Sequence, residues 1–212
     1  MTLPLRLAAC LLMAVCNLAH GEEWNFDVYL DSRKIGEHAF TLHDGQTRRE
    51  LESHAEFQVK VLFVEAYRYS HLAREQWHGD CLSSLDARTV ENGETTIVRG
   101  ALETGGFVVN SPKDIPTLPA CIMTFAYWNP VMLTQKRLLN PQTGEWLDVD
   151  IRLLGRESMR IGGQEMPADH YRLEAPKLKI DLWYSPAKAW LGLQSTTPEG
   201  YVIRYKLRQE KP

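Results

Sequence analysis

The chain lacks the short motifs that mark the familiar catalytic machines. It has no Gly-x-Ser-x-Gly elbow, no His-Glu-x-x-His, no phosphate-binding loop and no Gly-x-Gly-x-x-Gly. The enzyme classes those motifs serve are therefore not indicated. Charge of one sign is also missing. With 24 basic against 27 acidic side chains and a formal charge of −3, nothing points to a nucleic-acid partner. Cysteine is scarce, with 4 in 212 residues. This excludes a cysteine-rich zinc module. Low-complexity tracts and internal repeats are absent, and 44% hydrophobic with 24% charged residues is ordinary for a soluble globular protein.

Long apolar runs are confined to the amino terminus. Leu7–Leu18 is almost wholly apolar, follows the single charge Arg6, and ends in Ala19-His20-Gly21 before Glu22-Glu23. That order is a secretory signal peptide with cleavage near Gly21. The run is shorter than the ~20 residues that span a bilayer. A lipoprotein anchor is disfavoured, because Cys10 has no hydrophobic core before it and Cys16 follows Val15. Residues 1–21 are thus expected to address the protein to the periplasm, and 22–212 to form a single mature domain. Cys10 and Cys16 leave with the leader. Cys81 and Cys121 remain, and an even count in an exported chain predicts a disulfide between them. Two unrelated buried thiols are the alternative.

The mature chain alternates in period two, the mark of half-buried strands. Trp24, Phe26, Val28 and Leu30 share one face of an extended segment, and Ile35–Leu42 follows after a polar turn. Leu51–Val64 makes one long strand or two. In the next segment Tyr67, Tyr69, His71, Ala73, Glu75 and Trp77 share a face, and both faces are mixed. Asn92-Gly93 is a two-residue hairpin signal. Further strands are expected over Phe107–Asn110, Trp146–Leu154, Ser158–Ile161, Leu178–Tyr184, Trp190–Ser195 and Tyr201–Arg208. The fold class is all-β: a large curved antiparallel sheet or partly open β-barrel of roughly ten to twelve strands. One stretch breaks the rhythm. Residues 111–140 hold Pro112, Pro116, Pro119 and Pro130 around the apolar cluster Cys121–Trp128. They predict a Pro-rich insertion with short helices at Met123–Trp128 and Pro130–Leu139, lying across the sheet and pinned by the disulfide.

The run Tyr67-x-Tyr69-x-His71-x-x-x-Glu75-x-Trp77, with Cys81-Leu82, Asn92-Gly93, Phe125-Ala126-Tyr127-Trp128-Asn129-Pro130 and Leu138–Gly144, resembles a bacterial exported family called domain of unknown function 6134. The closing Leu182-Trp183-Tyr184 strand and final hairpins are similar to domain of unknown function 3108. The resemblance covers most of the mature chain. It implies a periplasmic protein on a curved antiparallel sheet, like half-open barrels that carry lipids or lipoproteins, with a gene setting near fatty-acid-modifying enzymes. It defines no catalytic residues, so none is carried over.

Candidate site residues follow from the aromatic and polar sets. Tyr69, Trp77, Tyr127, Trp128 and Trp183 are the expected lining of an apolar ligand site, since aromatic rings supply area while an O–H or N–H fixes a polar head. Plain core packing competes with that reading. His71, Glu75 and Asn129 are the candidate polar groups of the same cavity. His71 and Glu75 share a strand face about 13 Å apart at ~3.3 Å per residue, too far for a direct acid–base pair. His38, His43, His54 and His170 are scattered singly, each read as solvated or satisfied. Glu145, Asp148 and Asp150 lack the glycine and distal glutamate of a calcium loop. No metal or cofactor is expected. The function this supports is a non-catalytic carrier or accessory protein for a hydrophobic small molecule, such as a fatty acyl chain or lipid, with peripheral association to the envelope. The alternatives are an enzyme on a lipid-like substrate in the same cavity, or an envelope interaction protein that pairs through a sheet edge.

Overall fold

The computed structural model describes residues 21–45, 47–61, 64–197 and 200–208. The leader, apart from Gly21, and the lipoprotein reading of its cysteines lie outside the described residues. So does part of the turn at Pro198-Glu199-Gly200. Among the described residues no helix is long and apolar enough to cross a membrane.

Strands β1 (Gly21–Leu30), β2 (Arg33–Asp44), β3 (Arg49–Val61), β4 (Val64–His78), β5 (Cys81–Glu91), β6 (Glu94–Glu103) and β7 (Gly106–Asn110) form one continuous antiparallel meander. After the excursion through residues 111–149 the chain continues in β10 (Asp150–Ile161), β11 (Gln164–Ala175), β12 (Leu178–Tyr184), β13 (Trp190–Thr196) and β14 (Val202–Leu207). The two meanders join where β14 pairs with β1, with Phe26 opposite Leu207 and Val28 opposite Tyr205. The result is a single 12-stranded antiparallel sheet with β7 and β10 at its edges, not closed into a barrel. Register shifts interrupt five strand pairs. Such bulges raise local twist and bend the sheet, so that one face becomes concave.

Alternation decides which side chains face inward. On β1, Trp24, Phe26 and Val28 are buried, while Asn25 and Asp27 are part-exposed. On β4, Tyr69, His71, Ala73, Glu75 and Trp77 are all buried, whereas Arg74, Gln76 and His78 are exposed. That strand therefore has one inner and one outer face, and its charged outer residues reach neighbouring strands, as in the 2.8 Å Arg74–Glu52 pair.

The excursion starts at one sheet edge and ends at the other, so residues 111–149 have to cross an end of the curved sheet. Gly106 makes the departure possible. Its φ is +134°, and a Cβ there would stand 2.2 Å from the Leu118 carbonyl oxygen. Phe107 and Leu118 then exchange backbone hydrogen bonds. Cys81 and Cys121 form a disulfide across a separation of 40 residues, and Leu82 N–H donates to the Ile122 carbonyl at 2.9 Å. The crossing segment buries Leu118, Ile122, Met123, Ala126 and Met132 against the sheet.

Four local expectations differ from the structure. Residues 123–128 are irregular, with Thr124 bridged to Leu139 and a turn at 127–128 where Asn129 N–H donates to the Ala126 carbonyl, and only Pro130–Thr134 is helical, as a 3-10 turn. Six residues buried on several sides cannot sustain an α-helix against its nucleation cost. The expected second helix ends early because Leu138 and Leu139 belong to β8 (Arg137–Leu139), which pairs with β9 (Trp146–Asp148). The expected strand Trp146–Leu154 is likewise split at Val149. Its N–H donates to the Lys136 carbonyl, and β10 then runs without a break through the expected separate strand Ser158–Ile161.

Candidate functional site

The concave face encloses a cavity of about 680 Å³. Its walls come from the inner faces of β1–β5 and β12–β14, and one end is closed by Phe125, Tyr127 and Trp128 of the crossing segment. Side chains at that end, such as Phe40, Leu51, Ala73 and Glu75, are buried. Those toward the other end, Leu30, Val59, Tyr67 and Thr197, are half-buried, and Tyr201 is 53% exposed. Gln142 of the crossing segment is exposed as well, so the cavity opens both toward these hairpin ends and beside residues 140–142.

Of the residues expected to line an apolar site, Tyr69, Tyr127 and Trp128 do so. Tyr69 stacks on Phe57 with ring centroids 5.1 Å apart, and Tyr67 and His71 flank it at 6.5 and 6.4 Å. Tyr127 is held by its backbone and its ring. The Tyr184 hydroxyl donates to the Tyr127 carbonyl at 2.7 Å, and the ring lies 5.4 Å from Trp190. Trp128 carries the Arg49 guanidinium over its ring at 4.8 Å. The Trp128 Nε1 is buried without a hydrogen-bond partner among the described residues.

Two expected lining residues are elsewhere. Trp77 is fully buried behind the closed end, edge-on to Trp128 at 5.6 Å, and is not part of the cavity wall. Trp183 points to the outer face. There it stacks on His170 at 4.7 Å and donates to the Glu157 carboxylate. Its neighbours Leu182 and Tyr184 take the inward positions, and period two leaves Trp183 outside.

Among the polar candidates, His71 and Glu75 line the cavity and Asn129 does not. Asn129 caps the 3-10 turn through the Val131 N–H at 3.1 Å and donates to Asp80 at 2.9 Å. The three residues therefore do not converge. His71 Nδ1 lies 2.9 Å from Thr89 Oγ1, and burial pulls its pKa down to about 4. Glu75 Oε2 accepts from the Trp77 indole N–H at 3.0 Å. Burial pushes the Glu75 pKa up to about 7, against the opposing effect of that hydrogen bond.

His38, Ser53 and Tyr205 complete the polar part of the wall. Sequence reasoning left His38 among the scattered histidines and did not single out the other two. His38 Nε2 lies 2.7 Å from Ser53 Oγ, and its Nδ1 lies 3.3 Å from the Tyr205 hydroxyl. Desolvation holds its pKa well below the usual histidine range. The signal was present as His38-x-Phe40-x-Leu42 and Leu51-x-Ser53-x-Ala55, polar residues inside an apolar alternation. A neutral imidazole beside a serine hydroxyl is the first part of a nucleophilic pair. Both residues sit on strands paired on each side, where the ladder engages the backbone N–H groups that would have to stabilise an oxyanion.

A wide antiparallel sheet, curved but unclosed around an apolar cavity, defines a β-barrel-like protein. Residues 26–208 match the family described as Domain of unknown function (DUF6134), and the chain belongs to that family. A crystal structure from Brucella abortus, titled as a beta-barrel-like protein of domain of unknown function DUF1849, is similar in fold. Its TM-score is 0.63 at 11% identity, over 91% of this chain and 97% of that one. No curated protein matches the chain.

Proposed function

We propose that this protein is exported to the periplasm and holds an apolar, chain-like molecule in its cavity, a fatty acyl chain or lipid, as a carrier or accessory protein. The observation that carries the reading is the cavity itself. Its volume of about 680 Å³ falls within the roughly 300–1,000 Å³ of small-molecule sites, and its lining matches their pattern of apolar walls with a few placed polar groups. Phe57, Tyr69, Tyr127, Leu193 and Ile203 supply area, and His71, Glu75 and Tyr205 supply the polar points. Export rests on the Met1–Gly21 pattern, and the likeness of the last hairpins to family 3108 belongs to the same reading.

Purification without detergent from a bacterial periplasm, followed by native and denaturing mass spectrometry, tests it. The expected result is an added native mass that extracts into organic solvent as a lipid. Ser195 is a half-buried wall residue, and Ser195→Trp should abolish both the added mass and uptake of a neutral phenylnaphthylamine probe. A wild-type protein with no added mass and no probe uptake contradicts the reading.

A further inference from the structure

The cavity has a carboxyl group at each end and, among the described residues, no cation on its wall. Glu75 is buried at the closed end. Glu91 stands exposed at the opening by the hairpin ends, where it accepts a hydrogen bond from the Tyr67 hydroxyl at 3.0 Å. Among the described residues that line the cavity there is neither lysine nor arginine. The two imidazoles do not substitute for them. Burial pulls the His71 pKa down to about 4 and holds that of His38 well below the usual histidine range, so neither is positive at neutral pH. Arg49, stacked on Trp128, is outside the lining and pairs with Asp80 at 3.1 Å.

This arrangement is hostile to an anionic ligand. A carboxylate drawn inside loses its hydration, finds no counter-charge among the described lining residues and meets Glu75. Left at the hairpin-end opening, it meets Glu91. A hydroxyl, ester or amide pays no such penalty, and the Tyr69, Tyr127 and Tyr205 phenols, whose ionisation burial disfavours, are uncharged groups suited to it. We infer that the cavity selects uncharged long-chain amphiphiles, alcohols, esters or amides, and discriminates against free fatty acid anions. The inference rests on the apolar-ligand reading and narrows it.

Three probes of equal chain length separate the outcomes: n-decanol, decanoate and decylammonium. Each is titrated into the mature protein at pH 8 by displacement of neutral phenylnaphthylamine and by calorimetry. The expected result is decanol binding at least about tenfold tighter than decanoate and no weaker than decylammonium. In the variant carrying both Glu75→Gln and Glu91→Gln, the decanol-to-decanoate ratio narrows several-fold. Decanoate binding as tightly as decanol overturns the inference but leaves the apolar-ligand reading standing. Decylammonium binding more tightly than decanol also overturns it, because the acids would then be recognising a cation. A ratio that is unmoved in the double variant overturns the assigned cause. If none of the three binds, the apolar-ligand reading itself falls.

Discussion

Glu75 and His71, four residues apart on the inner face of β4, respond to burial in opposite directions, and their effects on stability differ in sign. The Glu75 pKa is raised in the folded state to about 7 from 4.5. Its stabilising contribution is present below about 4.5 and is lost as pH rises through 7. The His71 pKa is depressed to about 4 from 6.5. Its contribution is present above 6.5 and is lost as pH falls through 4. In the wild type the two slopes oppose each other between about pH 4.5 and 6.5. Glu75→Gln should remove one of them, so its stability relative to wild type improves with rising pH by on the order of 3 kcal/mol between pH 4 and 8. Thermal unfolding across pH measures this, and parallel wild-type and variant curves would contradict it. The inward positions of Tyr69, His71 and Glu75 were legible in the alternation of β4. For Trp183, aromatic content and parity point in opposite directions, and parity prevails: its own strand turns Leu182 and Tyr184 inward, which puts Trp183 outside. Trp77 shows the limit of parity, since it faces inward yet lies behind Trp128, a depth that period two does not encode.

The strands were the readable elements, because each carries its own periodicity and its own turn. Asn92-Gly93 joins β5 to β6 as its chemistry requires, with both residues at positive φ. The crossing segment was readable only as an exception to that rhythm. Its turns are set by contacts far away in sequence, such as Leu82 to Ile122 and Met123 to Leu139, so the expected helices did not form. The Cys81–Cys121 disulfide ties this segment to the β4–β5 hairpin. Closing a loop of 40 residues is worth about 4 kcal/mol in the chain-entropy account. Replacing both cysteines with serine should lower the urea midpoint accordingly. It should also weaken probe binding, because Tyr127 and Trp128 lose their tether. A loss below about 1 kcal/mol would show that the Leu118–Met132 packing holds the segment without the bond.

At the scale of the molecule, the order of the strands was not legible. The β1–β14 pairing that joins the two meanders lies between chain ends and leaves no local trace. It makes the sheet wide enough to curve around a space, and the crossing of residues 111–149 from β7 to β10 closes one end of that space. The edges are only partly protected, since Val108 on β7 and Leu153 and Leu154 on β10 are exposed. β7 is five residues long, and β10 carries Arg152, Arg156, Glu157 and Arg160 along its length, which discourages edge-to-edge pairing. The proposed function places a chain-like ligand on the concave face. The most direct measurement is a backbone and methyl NMR titration of the mature protein with n-decanol. The account predicts saturable shifts at Phe57, Tyr69, Ala73, Tyr127 and Leu193, with Trp183 and the outer arginines of β10 unmoved. Shifts confined to the outer face or to the β7 and β10 edges, with the cavity residues silent, would contradict it.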